Sequence, residues 1–457
     1  MVTETQKLPD GWQWIKLTEI AERGNKYAIV DGPFGASIKQ SDYLDCGVPL
    51  IRIQNISKDG TFINKGFLYI SEEKYREQIR SAVKKDDILV SRVGTIGNVC
   101  IYPGIFEKAL LSTTGVCKIS INKRIADINF VYFFMLSEDY KNQLISNASE
   151  SVQKYITLDT LKDSELPFPP LAEQKRIAAI AQKADRLRRT RRYALQLSDT
   201  YLQSVFLEMF GDPASNPKGW NIEVFSKKLE FITTGSRGWA QYYSNHGNIF
   251  LRVQNLGKNE LLLNDVAYVQ NPNTVEAKRT CVKSGDLLIS MTADLGRTAV
   301  IPPNFPEAYV NQHVGIVRLK EINPVFISAL LASDAGKKQF DALDREGVKS
   351  GLNFDDIRSL KIIVPPLPLQ EKFAQIVQKF ERLRTQQREA ERQAEHLFQT
   401  LLHCAFRGEL TPQHANDEPA SVLLEQIGAE QAKAEAEAKA ATQAMGNAAE
   451  YLSTKAK

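Results

Sequence analysis

The chain has 457 residues, 43% hydrophobic and 25% charged, with a formal net charge of +4. That balance belongs to a folded globular protein and excludes a wholly disordered one; at roughly 150 residues per domain, about three domains are expected. The longest apolar run, Phe130 to Leu136, is far short of the ~20 residues of a membrane span.

The N-terminus, MVTETQKLPDGW, has no apolar core and no small-residue cleavage site, so no secretory signal is expected. Five cysteines (46, 100, 117, 281 and 404) form no CxxC pair, which predicts reduced thiols in a cytoplasmic protein. Residues 413–457 carry seven acidic and four basic side chains, so the tail is −3 and the rest is +7. Any nucleic-acid contact must then come from local patches.

The chain is written twice. Gly11-Trp12 recurs as Gly219-Trp220, and IRIQNI at 51–56 as LRVQNL at 251–256. DDILVS at 86–91 matches GDLLIS at 285–290, and Gly115-Val116 matches Gly315-Ile316. LDTLK at 158–162 matches FDDIR at 354–358. PPLAEQKRIAAI from Pro169 matches PPLPLQEKFAQI from Pro365, and DRLRR at 185–189 matches ERLRT at 381–385. The offset drifts from 208 through about 200 to 196 while the order is kept. Internal repetition of this kind decides the architecture before any local motif does.

In chain order, residues 8–168 show short branched runs at Leu50–Ile53, Ile88–Ser91 and Val116–Ile119 between Gly, Asn, Pro and Asp clusters. These predict strands of a compact α+β domain. Residues 169–212 predict one long helix, opened by Pro169-Pro170 and ended by Gly211-Asp212-Pro213. Residues 213–364 repeat the globular part, with strands at Ile249–Val253, Leu287–Ser290 and Gly315–Leu319. Residues 365–412 repeat the helix, to Gly408. Glu173 and Glu371 are expected in the two first turns. Residues 413–457 form an Ala/Glu-rich extension, expected as a solvated or fraying helix without chemistry.

Both helices carry apolar residues at alternating spacings of three and four, the heptad period. The first seam runs Ile177, Ile180, Ala184, Leu187, Arg191, Ala194, Ser198, Tyr201, Val205; the second runs Phe373, Ile376, Phe380, Leu383, Gln387, Ala390, Ala394, Leu397, Leu401. Each breaks at a polar residue in the same place, Arg191 and Gln387, which either fixes register or snorkels at the seam edge. Each helix has roughly 40 residues, hence about 60 Å. Its nearest partner is its own repeat. An antiparallel coiled coil would make the chain pseudo-two-fold, with two inverted heads on a spacer. Two such heads on B-DNA would read two half-sites a fixed distance apart. The heads differ in sequence, so the target would be split but not palindromic.

DGPFGASIKQSDY (31–43) with GVPLIRIQNI (47–56), TGSRGWAQYYS (from 234), LRVQNL (251–256), VNQHVGIVRLK (from 310) and the two Pro-Pro-Leu helix starts occur together. With them the chain resembles the DNA-specificity subunits of type I restriction-modification systems, over about residues 8–412. The resemblance implies two α/β target-recognition domains (8–168 and 213–364), spacer helices at 169–212 and 365–412, and a bipartite double-stranded DNA target. It also implies two modification (methyltransferase) subunits bearing S-adenosylmethionine, and restriction subunits bearing ATP and Mg²⁺ for translocation and cleavage, with no cofactor or metal on this chain. The acidic C-terminal extension departs from the pattern.

Heads that read different half-sites should share architecture and differ in their readers. Gln54-Asn55 and Gln254-Asn255 could pair with adenine, but their identity in both copies favours a structural turn. The differing segments supply the DNA-contact candidates: Phe34, Lys39, Gln40 and Ser41 in the first copy; Ser236, Arg237, Trp239, Tyr242 and Tyr243 in the second. Arg92 and Arg297, in Gly-containing loops after matched strands, are candidates for phosphate. For each, loop packing or surface solvation is the competing reading, and for the aromatics a place in the core. Residues 173–192 carry eight basic and two acidic side chains; solvation, pairing, contact with an acidic face of a modification subunit and contact with DNA all remain open there.

No catalytic motif emerges. There is no HExxH, the histidines (246, 313, 396, 403, 414) have no metal spacing, and Gly336-Lys337 lacks the upstream glycine of a phosphate loop. Asp31-Gly32-Pro33-Phe34 only partly resembles the DPPF-type motif of adenine methyltransferases. Glu72-x-Lys74 fits a nuclease pattern that arises by chance. The expectation is a non-catalytic specificity subunit. The alternatives are an autonomous nuclease or methyltransferase, and a coiled-coil scaffold without DNA function.

Overall fold

The computed structural model describes residues 8–146, 155–271, 273–343 and 351–412, and, in the tail, 414, 417–422, 424–426, 428 and 429; side chains 198–200 are outside the description. The chain divides into two compact units, residues 1–190 with 391–457, and residues 191–390. The division runs through both long helices, Leu171–Phe210 and Leu367–Phe406, and not between heads and helices.

In the first unit a four-stranded antiparallel sheet has the order Ile29–Asp31, Val116–Ile119, Ile88–Ser91, Val99–Ile101. Its central strand is buried along its whole length, as its continuous apolar run requires. A three-stranded sheet, Leu68–Ile70, Val48–Ile51, Leu110–Leu111, contains the unit's one described parallel pairing. Gln13–Lys16 pairs with Glu165–Phe168 and closes the domain where the long helix leaves it. Asp87, beside the central strand, is buried and satisfied by the Lys84 amide at 2.8 Å, the Ser120 hydroxyl at 2.6 Å and the Lys118 ammonium at 3.5 Å.

The second unit repeats this plan. Its antiparallel sheet is ordered Leu229–Thr234, Val314–Leu319, Leu287–Ser290, Thr298–Val300. The companion sheet is ordered Tyr243–Ser244, Ala267–Val269, Asn248–Leu251, Ala308–Val310, and its last pairing is again parallel. Asp286 stands where Asp87 does and is paired with Arg318 at 2.9 Å.

The long helices pair within each unit, and the pairing is antiparallel in both. In the second unit Arg191 donates to Gln387 Oε1 at 3.3 Å, Tyr201 stacks on Phe380 at 5.2 Å, and Phe210 meets Phe373 at 5.5 Å: one number climbs as the other falls. The two polar seam breaks therefore answer each other. In the first unit Arg188 pairs with Glu395 at 3.0 Å, and Glu173 accepts from the Thr411 hydroxyl. Ile177, Ala178 and Ala181 share one core with Phe398, Leu402, Ala405 and Phe406.

The packed seam differs from the apolar heptad. Ile177 and Phe373 are buried, and Ile180, Ile376 and Phe380 are partly buried. Leu187, Leu383 and Leu397 point outward, at 47%, 58% and 53% exposure. Tyr201 is also half exposed, although it stacks on Phe380. In place of Leu187 and Leu383 the helices turn Arg188 and Arg384 inward, with side chains 3% and 13% exposed. Arginine occupies these places because fixed carboxylates neutralise it: Asp185 and Glu395 around Arg188, Glu260 and Glu381 around Arg384. Glu371 lies beyond the first turn of its helix and is exposed, whereas Glu173 is in the first turn and fully buried.

The Pro-Pro-Leu-x-x-Gln repeat has a physical basis. Gln174 Nε2 donates to Pro169 O at 2.9 Å, while its Oε1 accepts from the Asp127 amide at 2.9 Å. Gln370 does the same to Pro365 O at 2.7 Å and the Asn323 amide at 2.9 Å. Asp127 and Asn323 in turn cap Ile128–Leu136 and Pro324–Ala332. One buried amide thus clamps each long helix to the head that precedes it.

The start of the tail is not free. Asp417 pairs with Arg176, and Ala420 is buried in the first unit's core with Leu424 packed against it. The remainder of the extension, from 430, lies outside the described residues.

The copies differ where the helices meet the heads. In the first unit Phe398 packs under the Arg188 guanidinium at 4.1 Å and against Phe133 at 6.1 Å. The matching positions in the second unit are Leu202, Arg384 and Ala329. There a cleft of about 460 Å³ opens, lined by Leu202, Phe206, Ala329, Ala332, Phe373 and Arg384, among others. Small residues in the places of Phe133 and Leu136 account for the space.

Two predictions follow from this packing. Gln370→Ala leaves the partly buried Asn323 amide and the Pro365 carbonyl without their partner and should cost about 1–3 kcal/mol, read as a lower melting temperature of the full chain. Ala329→Phe copies the filled arrangement of the first unit and should raise stability by about 0.5–2 kcal/mol; a lowered melting temperature would show that the cleft walls cannot accept the ring.

Candidate nucleic-acid interface

In each head, one edge of the packed sheets leads into a loop whose sequence differs between copies. The first follows Ile29–Asp31 and runs through the turn Gln40–Asp42; the second follows Leu229–Thr234 and runs through Gly238–Tyr242. Gly32 and Gly235 stand at the starts of these loops. A Cβ on Gly32 would lie 2.2 Å from Thr113 O, and one on Gly235 2.0 Å from Val310 O, so only glycine lets the loop pass the neighbouring strand.

In the first loop Phe34, Lys39, Gln40 and Ser41 are all exposed. Phe34 is 69% exposed, an unusual cost for a phenyl ring. The Lys39 amide donates to Asp42 Oδ2 at 2.7 Å, which holds the turn and leaves the Lys39 ammonium outward. In the second loop Arg237 and Tyr243 are exposed, Ser236 and Tyr242 partly buried. The Ser236 hydroxyl accepts from the Gly238 amide at 3.1 Å.

Two candidates are not presented to solvent. Arg92 is tied down: its side chain is 11% exposed, pairs with Asp31 at 2.7 Å, and donates to Ile156 O at 2.8 Å and Thr114 O at 3.1 Å. Burial beside Asp31 makes it a brace under the loop. Trp239 is buried against Phe250 at 5.2 Å and Tyr309 at 4.9 Å, and anchors the second loop from below. Arg297 is intermediate, paired with Asp294 and donating to Leu256 O at 3.1 Å.

Gln54-Asn55 and Gln254-Asn255 are structural. Asn55 is buried, accepts from the Arg52 amide and donates to Ile63 O and Lys65 O; Asn255 does the same with Arg252, Leu262 and Asp265. Gln54 donates to Gly66 O at 2.7 Å and Gln254 to Asp265 Oδ2 at 2.8 Å.

A matched pair of arginines escaped the sequence reading. Arg80 reaches over the Phe34 ring at 6.0 Å and lies 3.9 Å from Asp31. Arg279 donates to the Thr233 hydroxyl and to Thr234 O at 3.1 Å. Both stand beside the variable loops. The signal was available, since Arg80-Ser81-Ala82-Val83 and Arg279-Thr280-Cys281-Val282 share the offset of the neighbouring strands.

The chemistry of the remaining candidates is ordinary surface pairing. Glu72 pairs with Lys108 at 2.6 Å, and that ammonium holds its carboxyl below the usual range; Lys74 pairs with Glu77. Among the described residues no group of three His, Cys, Asp or Glu could hold a metal ion, and no helix is long and apolar enough to cross a membrane. Cys100 and Cys117 are buried, which pushes the Cys117 thiol up to about 12, whereas Cys46 is exposed.

The heads and their loops have known counterparts. The family model described as the type I restriction modification DNA specificity domain matches residues 9–196 and 244–395, and the chain belongs to that family. It is 25% identical over 469 residues to the type I restriction enzyme EcoBI specificity subunit of Escherichia coli, covering 93% of each chain. It is also 25% identical to the putative MjaX specificity subunit of Methanocaldococcus jannaschii, covering 89% of this chain and 96% of that one. A chain from a structure of a type I R-M system, described for complex assembly and conformational transition, shares the fold with a TM-score of 0.53 at 19% identity, covering 88% of this chain and all of the other.

Arg92→Ala should lower stability by about 1.5–3 kcal/mol, because a charged donor to two carbonyls and Asp31 is lost. Arg237→Ala should leave the melting temperature unchanged and weaken binding to one half of the DNA target in a footprint of the assembled complex. Unchanged affinity there would remove Arg237 from the interface.

Proposed function

We propose that the chain is the non-catalytic subunit that gives a type I restriction-modification complex its DNA sequence. Each recognition domain reads one half of a bipartite, non-palindromic double-stranded site. The paired helices set the gap between the halves and dock two modification subunits. Restriction subunits complete the assembly. S-adenosylmethionine, ATP and Mg²⁺ belong to those partners, and the complex works in the cytoplasm. The observation that carries this reading is one frame built twice, with the same buried Asn and Gln clamps and different exposed loops. A frame shared to the level of Asn55 and Asn255, or Gln174 and Gln370, supports a shared task. Loops as unlike as Phe34–Ser41 and Ser236–Tyr243 support two different half-sites.

Within this reading the frame positions and the loops discriminate. Lys39, Arg237, Arg80 and Arg279 supply cationic donors for phosphate or guanine, and Gln40, Ser41 and Tyr243 supply uncharged hydrogen-bonding groups. Phe34 offers an apolar face for a thymine methyl or a sugar. The basic run at 186–192 serves mostly the protein itself, through Asp59, Asp185, Glu395 and Gln387.

The deciding experiment maps methylated adenines in a genome carrying the matching modification genes, with and without this chain. Expected is one split motif that disappears when the chain is removed. A single short continuous motif would overturn the two-head reading. Product from the purified chain alone, given DNA, S-adenosylmethionine and Mg²⁺, would overturn its non-catalytic part.

A further inference from the structure

We propose that the inward-facing arginines of the long helices, Arg188 with Arg189 and Arg384 with Arg388, are positioning residues that set how each recognition sheet is held on its helix, and through it which gap length is accepted. This rests on the split-site reading above.

The loop after the Gln-Asn turn is the point of attachment in both heads. In the first unit Arg188 donates to Asp59 O at 2.9 Å, and Arg189 donates to Asp59 O at 3.2 Å, to the Thr61 hydroxyl and to Tyr132 Oη at 3.1 Å. Tyr132 in turn donates to Gly60 O at 3.0 Å. In the second unit the matching loop places Glu260 against the helix. Its two carboxylate oxygens are taken by two guanidiniums, Arg384 at 3.0 Å and Arg388.

The chemistry differs, a backbone carbonyl in one unit and a carboxylate in the other, but the place is the same. Arg188 and Arg384 are 196 residues apart, the offset of the helix repeat. Finding the same joint made by different groups is what selection for geometry, and not for one contact, would leave.

The joint also reaches the recognition sheets. The Gly257 amide donates to Glu260 O at 2.8 Å, and the Glu260 amide donates to Thr298 O at 3.1 Å on the edge of the four-stranded sheet. Leu262 N donates to Asn255 O at 2.8 Å, next to the strand Asn248–Leu251 of the companion sheet. Glu260 is thus bonded to one sheet through its backbone, sits in the loop that joins two strands of the other, Asn248–Leu251 and Ala267–Val269, and meets the helix through its carboxylate. A small rotation about this point displaces the whole loop surface, whereas the sequence read by the loop is untouched. Planar guanidiniums gripping a carboxylate are suited to this because they fix orientation as well as distance.

The test uses the full chain assembled with its modification subunits. Methylation rates are measured on the cognate target and on targets with the gap one base pair longer or shorter. The wild-type complex should strongly prefer the cognate gap. Glu260→Ala should reduce that preference by about 5-fold or more, with the same half-site sequences still required. Asp286→Asn disturbs a buried ion pair of the same unit away from the joint and serves as the structural control. It should lower the melting temperature and leave the gap preference intact. An unchanged preference in Glu260→Ala would overturn the inference, as would equal relaxation in Asp286→Asn. A wild-type complex indifferent to gap length would instead overturn the split-site reading, and the inference with it.

Discussion

Neither head closes its own core. Phe130 of the first head meets Phe406 at 5.4 Å, and Phe326 of the second meets Phe210 at 4.7 Å. In each case the ring that completes the head comes from the end of a long helix contributed by the other repeat. A 40-residue helix cannot hide its apolar stripe alone, and a head missing that stripe exposes aromatic surface. Each element therefore supplies what the other lacks. The first core cannot be complete until the chain has reached Phe406, so its closure is among the least local events in folding.

This interdependence explains what could and could not be read from the amino acids. The repeat, the strand runs and the two helices follow from patterns that depend on letters alone, such as Ile88–Ser91 or Pro-Pro-Leu. Which residue faces inward depends on partners hundreds of positions away. Leu187 looks like a seam residue and Arg188 does not, until Asp185, Glu395 and Asp59 are brought around the guanidinium. Arg92 looks like a phosphate contact until Asp31 and Ile156 O claim it. Trp239 looks like a reader of bases until Phe250 and Tyr309 stack around it. Charged and aromatic side chains are ambiguous in sequence because their cost of burial is decided by satisfaction, which is tertiary.

The repeat works as an internal comparison that no alignment is needed to make. Positions kept in both units, Asn55 and Asn255 or Gln174 and Gln370, turn out to be buried side chains that satisfy backbone groups. Positions that change chemistry but keep a partner, such as Lys118 and Arg318 opposite Asp87 and Asp286, mark constraints on charge but not on shape. Positions that change volume, Phe133 to Ala329 and Phe398 to Leu202, leave the cleft of the second unit. The variable loops belong to none of these classes, since neither burial nor pairing restricts Lys39, Gln40, Ser41 or Arg237. Freedom from structural duty is the property that a set of interchangeable sequence readers must have.

The fate of the basic run sharpens the same point. Arg188 and Arg189 pair with Asp185 and Glu395 and donate to Asp59 O, and Arg191 donates to Gln387, so three arginines of the strongest cationic cluster are engaged within the protein. Affinity for a polyanion grows with the number of phosphates met by free cations. Arginines used as internal bracing are not available to phosphates, which lowers this cluster's non-specific attraction to DNA. Under the proposed reading, tight binding then has to be a property of the assembled complex, while this chain contributes the part that varies with sequence. The two requirements are compatible because arginines that grip the helix joint hold the loops in place, and well-held loops discriminate by geometry and not by net charge.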